Sequence, residues 1–140
     1  MIRHEVTPIP IKRRPRFRRS GKPFLDNATK ADIQRVRESW DGDFYSDQAL
    51  ALIIDVYQVL PESKAKLVRQ QFTIKPDVDN IIKAIMDGLN GKAYVDDKQI
   101  VMVMCVKHDR TLEIDGEYVS YVLLPIKGLR KEWNCQTSNA

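Results

Sequence analysis

The chain has 140 residues, 43% of them hydrophobic and 30% charged, which suits one globular domain able to fold without disulfides or a structural metal. No apolar run reaches the length of a membrane span, and the opening MIRHEVTPIP lacks the apolar core of a secretory signal, so the expected compartment is the cytoplasm, with no membrane partner. The net charge of +4 points only weakly to a polyanionic partner, whereas its distribution along the chain says more.

Residues 1–11 alternate in polarity and carry Pro8 and Pro10, which predicts an edge strand running into a loop. Residues 12–30 read as a basic loop with turn signals at Ser20-Gly21 and Asp26-Asn27. Asn27 or Thr29 is the expected cap of a helix reaching about Trp40, with Ile33, Val36, Arg37 and Trp40 at helical spacing, and Asp41-Gly42-Asp43 breaks it. Residues 49–59 are almost continuously apolar, which predicts a central strand buried on both faces, with Leu50, Leu52, Ile54 and Val56 on one of them. Residues 62–71 form a polar, basic connection. Asp77 or Asp79 then opens the best-defined helix, through about Leu89. Ile81, Ile82, Ile85, Met86 and Leu89 fall on one arc, and Asp79, Asn80, Lys83, Asp87 and Asn90 on the other. Asn90-Gly91 stops it. Residues 99–106 read as a second buried strand and 117–124 as a third, with Asp115-Gly116 as a hairpin turn between them. The order β-α-β-α-β-β predicts an α+β fold, with helices packed on one face of a small mixed sheet. Residues 1–124 are the expected domain and 125–140 a polar C-terminal tail.

Residues 1–24 hold eight Lys or Arg against Glu5 alone, and Lys64, Lys66, Arg69 and Lys75 follow with no acid between Ser63 and Pro76. Residues 77–97 reverse the sign, with Asp77, Asp79, Asp87, Asp96 and Asp97 against Lys83 and Lys92. An acidic island in a basic chain needs a reason, because carboxylates repel the phosphates that the basic runs attract. A hard cation such as Mg²⁺ supplies one: it takes oxygen ligands, binds a phosphate and lowers the pKa of a bound water. The convergence depends on the strand after Asp97 lying beside the start of the Asp77 helix. Lys83, one turn after Asp79, is placed to face a phosphate and its transition-state charge. A plainer reading stays open on spacing alone: a capped helix, an acidic turn, and an i,i+4 Asp79–Lys83 pair worth about 0.3–0.5 kcal/mol.

Other chemistries fit less well. A calcium loop starting at Asp77 would put Ile82 at its glycine position and Gly88 at its bidentate glutamate position. Cys105, in an apolar run, and Cys135, in the tail, have no partner at metal-ligand spacing, and His4 and His108 stand alone, so free thiols and no zinc site are expected. No Ser-His-Asp or Cys-His set and no phosphate-cradling glycine loop is evident, and no organic cofactor is expected. Trp40 and Tyr57 read as core aromatics, Phe72 as either a core aromatic or a stacking or wedging one near the acidic segment, and His108 as a surface residue at a strand end.

The string from Lys75 through Gly91 (KPDVDNIIKAIMDGLNG) and that from Ala93 through Ile100 (AYVDDKQI) resemble the signature of the RusA family of Holliday junction resolvases. Lys12-Arg13-Arg14-Pro15-Arg16, with Gly21-Lys22 and Thr29-Lys30, resembles that family's N-terminal segment, so the resemblance spans about residues 5–106. It implies a homodimeric, Mg²⁺-dependent endonuclease, with Mn²⁺ able to substitute. Such an enzyme acts in DNA recombination and repair, making paired nicks across a four-way junction that leave 5′-phosphate and 3′-hydroxyl ends. Carried over residue by residue, Asp77, Asp79 and Asp97 match the essential acids and Lys83 the essential lysine. Asp96 matches the neighbouring acid, a further metal ligand, and Asn80 a recurrent position expected to orient a carboxylate or cap the helix. Arg13, Arg14, Arg16, Arg18, Arg19, Lys64, Lys66, Arg69 and Lys75 are the expected contacts to the DNA backbone. Two alternatives remain: a non-catalytic basic nucleic-acid-binding module, and a related metal nuclease acting on other branched DNA or on RNA.

Overall fold

The computed structural model describes residues 2–59, 76–108 and 116–127. The connection at 62–71, Lys64, Lys66, Arg69, Lys75, Phe72, Asp115 and Cys135 lie outside them. The strands are β1 (His4–Val6), β2 (Arg16–Phe17), β3 (Pro23–Phe24), β4 (Leu50–Tyr57), β5 (Ile100–Lys107) and β6 (Tyr118–Pro125), and the helices α1 (Asn27–Ser39) and α2 (Val78–Leu89). Four strands form one mixed sheet in the order β1-β6-β4-β5, with β4 parallel to β5 and antiparallel to β6. The fold is α+β. Among the described residues no helix is long and apolar enough to cross a membrane.

The alternation along β4 explains the layering. Leu50, Leu52, Ile54 and Val56 are fully buried and join Val119, Tyr121 and Leu123 of β6 in a core against Val36, Ile81, Ile85 and Leu89 of the helices. The opposite face of β4 is less covered than a strand buried on both sides requires. Ala51 is buried, but Ile53, Asp55 and Tyr57 are only half-buried. Both helices contribute to the core on the other face of the sheet, and polar contacts gather here instead. Asp55 accepts hydrogen bonds from Arg3 at 2.9 Å and contacts His108 at 2.7 Å, while Tyr57 stacks on His108 and on Tyr118. Trp40 is core, as expected; Tyr57 is not fully buried.

Three further expectations are corrected. β5 is an edge strand, with Val101, Val103, Met104 and Val106 exposed. An unbroken apolar run reports composition, whereas burial depends on having neighbours on both sides. β5 and β6 do not form a hairpin, because β4 lies between them and pairs with each. The cap of α1 is Asp26, neither Asn27 nor Thr29. Asp26 is extended, and its Oδ1 accepts the amide of Thr29 at 2.7 Å. Those hydrogen bonds from Thr29 hold the Asp26 carboxyl below its ordinary range. The basic loop is partly ordered as the β2–β3 hairpin, turned at Gly21 with φ +81°. Beyond β6, the amide of Ile126 still donates to Ala49 O at 2.9 Å, so the chain leaves the sheet later than Leu124.

α1 and α2 meet at Gly88, where a Cβ would stand 2.5 Å from Val36 Cβ and 2.8 Å from Ile33 O. Only a residue without a side chain lets the helices approach this closely.

Candidate active site

α2 begins at Asp77, whose backbone is extended at the cap position but whose carboxylate makes no capping hydrogen bond. Asp79 follows in the first turn, and its Oδ2 is 3.8 Å from Lys83 Nζ, with both side chains more than half exposed. Such a pair contributes little to stability and leaves both groups available to a ligand. Ile11, Lys12, Arg13, Arg14, Pro76, Asp77 and Asn80 line an open groove of about 680 Å³. The basic N-terminal segment and the start of the acidic one therefore share a surface, as their opposite charges favour.

Asp97 comes from the loop that follows α2. Its Oδ1 accepts from Asn90 Nδ2 at 3.4 Å and lies 3.0 Å from the hydroxyl of buried Tyr94, which is also 2.6 Å from Met86 O. The single hydroxyl proton serves one of these acceptors at a time. Burial pushes the Asp97 carboxyl up, the Tyr94 hydrogen bond opposes this, and the charges of Asp87 and Asp96 raise it further. The ionised carboxylate thus costs folding free energy once the pH passes its ordinary value. Asp97 is placed against the C-terminal half of α2, whereas Asp77 and Asp79 occupy its first turn. Among the described residues no three His, Cys, Asp or Glu side chains are grouped to hold one metal ion.

Asp96 spends an oxygen on structure. Its Oδ1 accepts the amide of Lys98 at 2.9 Å and caps the short 3₁₀ turn Asp97–Gln99. The acidic loop is set by Gln99, which is buried. Its Oε1 accepts the amides of Val95 and Asp96 at 2.8 and 3.2 Å, and its Nε2 donates to Tyr45 O and Gln48 O. Gln99→Leu deletes all four hydrogen bonds and is expected to cost about 2–4 kcal/mol. Urea unfolding measures that loss, and an unchanged midpoint would show the loop to be set by other contacts.

The basic residues divide by role. Arg13 is tied down, with Nη1 3.0 Å from Asp32 Oδ2, while Arg14, Arg16, Arg18 and Arg19 are exposed. Arg18 also lies over the Phe24 ring at 5.5 Å. Asn80, the recurrent position, supplies its carbonyl to the amide of Lys12 at 3.0 Å. Cys105 is a poor nucleophile, because burial pushes its thiol up to about 11.

Two residues with a place here were not singled out from the sequence. Asp87 receives Lys12 Nζ at 2.6 Å, and buried Asp32 holds the basic segment. Asp87 had a legible signal, since it continues the polar Asp79, Lys83 row by one more turn. Asp32 had none, being one polar position in an amphipathic helix.

A comparison of the chain with curated proteins gives no match. A sequence model of the endodeoxyribonuclease RusA family matches residues 5–115. That span takes in the basic segment, α1, the sheet through β5 and every acid discussed above. It is most of the 140 residues, and the chain belongs to the RusA endodeoxyribonuclease family.

Proposed function

We propose that the chain is a Mg²⁺-dependent endonuclease that resolves four-way DNA junctions by paired, symmetric nicks, leaving 5′-phosphate and 3′-hydroxyl ends. The observation that carries this reading is the shared groove, in which Arg13 and Arg14 stand with Asp77 and Asn80. In this reading Asp77, Asp79 and Asp97 are the essential acids, Asp96 is a further ligand and Lys83 the essential cation. Their donor chemistry suits a hard ion. It is all oxygen, and the Asp77 carboxylate is free of capping duty. When bound, Mg²⁺, or Mn²⁺ with the same ligands, offsets the carboxylates and polarises phosphate and water.

The chain's own groups do the rest. Arg13 and Arg14 draw the DNA backbone into the groove, and the hairpin arginines Arg16, Arg18 and Arg19 extend the track, with Lys64, Lys66, Arg69 and Lys75 added from the sequence. Lys83 holds its exposed ammonium one turn from the Asp77–Asp79 end, where it offsets charge developing on a phosphate. Symmetric nicks require two sites related by a two-fold axis, which supports a homodimer. The apolar, uncovered edge of β5 offers a surface for a second copy.

A synthetic four-way junction incubated with Mg²⁺ is expected to be cut at paired positions, with no cutting in EDTA and slow cutting of linear duplex. Equal rates on linear duplex would overturn the junction assignment. The ties of Asp97 to Tyr94 and Asn90, which give it a structural task, favour one other reading, a non-catalytic nucleic-acid-binding module. That reading predicts salt-steep binding in the same assay and no nicks.

A further inference from the structure

The segment Ile11–Arg13 is held from two sides in strict alternation. Toward α1, the Ile11 amide donates to Asp32 Oδ2 at 3.0 Å, Arg13 Nη1 donates to the same oxygen at 3.0 Å, and the Arg13 amide donates to Thr29 Oγ1 at 3.3 Å. Toward α2, the Lys12 amide donates to Asn80 O at 3.0 Å and Lys12 Nζ pairs with Asp87 Oδ2 at 2.6 Å. The odd residues thus face one helix and the even residue the other, as an extended chain requires. The strap bridges the two helices and leads directly into exposed Arg14, beside Asp77.

The α1 anchor is unusual in its chemistry. Asp32 is 6% exposed, and its second oxygen forms an ion pair with Arg35 Nη2 at 2.7 Å, so a buried carboxylate is bound by two guanidiniums and a backbone amide. A buried charge is tolerated only when paired in this way. Asp32 is too enclosed to meet DNA and is of the wrong sign for it. Its effect passes through the strap.

We infer that Asp32 is a positioning residue for nucleic-acid binding: through Arg13 and the Ile11 amide it fixes the basic strap so that Arg13 and Arg14 enter the groove beside Asp77. The inference rests on the proposed DNA-binding reading for its consequence, but not for its geometry. Without the anchor, three adjacent cations repel one another, and fixing them before DNA arrives spares the ordering cost on binding.

The test compares Asp32→Asn with Val36→Ala, a fully buried residue of the same helix that makes no polar contact with the strap. Limited trypsin digestion reads the strap without DNA. Asp32→Asn is expected to speed cutting after Lys12 and Arg13 roughly tenfold, whereas Val36→Ala speeds it no more than elsewhere in the chain. Four-way junction affinity in EDTA is expected to fall roughly tenfold in Asp32→Asn, while the single-turnover cleavage rate at saturating junction in Mg²⁺ changes little. Should Asp32→Asn fail to fold, Thr29→Val leaves Asp32 in place, removes the acceptor for the Arg13 amide together with the hydroxyl's hydrogen bond to Asp26, and is expected to act in the same direction, more weakly. Unchanged digestion of the strap, or equal affinity losses in Asp32→Asn and Val36→Ala, overturns the inference. Wild-type protein that binds no junction overturns the proposed function instead, and the digestion result still decides the strap.

Discussion

Asp79→Asn is expected to bind a four-way junction with wild-type affinity and to cleave it at least about a thousandfold more slowly. The asymmetry follows from the side chain's surroundings. Asp79 is mostly exposed and its ion pair among the described residues is with Lys83 at 3.8 Å, so little folding free energy is at stake. A carboxylate repels phosphate, and removing its charge leaves affinity in EDTA equal or slightly tighter, with the same salt slope. What is lost is the charge proposed to hold the cation, and Lewis-acid catalysis of phosphoryl chemistry is worth several kcal/mol, at about 1.4 kcal/mol for each factor of ten. Single-turnover cleavage and binding in EDTA measure the two effects separately. Normal cleavage by this variant would remove Asp79 from the chemistry, and lost binding would make it a structural residue of the groove.

Gly88→Ala is expected to destabilise the fold by about 2–3 kcal/mol, the largest loss from adding a single methyl group. Alanine is the better helix former by roughly 1 kcal/mol, so an isolated helix would gain. In the folded chain the new Cβ would stand 2.5 Å from Val36 Cβ, 2.6 Å from Val36 Cγ1 and 2.8 Å from Ile33 O. Val36 is fully buried and the carbonyl belongs to the α1 backbone, so neither can swing aside and the helices must separate. Overpacking of this kind typically costs about 1–3 kcal/mol, occasionally more. Urea unfolding is expected to show a lower midpoint with an unchanged slope. A midpoint at or above wild type would mean that the two helices can part at no cost.

Legibility differed between elements for physical reasons. α2 was readable because its isoleucines and its charged residues fall on opposite arcs, a pattern that only a helix makes. β4 was readable as a strand, but how much of each face is covered depends on what the rest of the chain packs against it. β5 was misplaced for a related reason: the seven apolar residues from Ile100 to Val106 look the same at a sheet's centre and at its edge. The pairing of β6 with β4 and not with β5 is set by topology, which local turn signals cannot report. At the site, Asp77, Asp79 and Lys83 were visible through spacing on one helix and through family resemblance. The position of Asp97 was not visible, because it depends on the Gln99 and Tyr94 hydrogen bonds that fold the loop onto the end of α2. Arg13 was read as a DNA contact, and its tie to Asp32 appears only when α1 and the N-terminal segment are seen side by side.

The strand order β1-β6-β4-β5 also has a consequence for how the chain folds. Among the described residues β1 is the first strand and pairs only with β6, the last, matching His4 to Tyr121 and Val6 to Val119. β4 gains its parallel neighbour only after α2 has been crossed. No strand of the main sheet has its sequence neighbour as a hairpin partner, so every ladder is a long-range closure. Chains of this kind fold slowly, because loop entropy is spent before any pairing returns it. During synthesis the apolar β4 has no antiparallel partner until β6 has emerged, and β1 has none at all. Until then the described elements that have emerged are two helices, the β2–β3 hairpin and a two-stranded parallel ribbon, and aggregation competes most strongly in that interval.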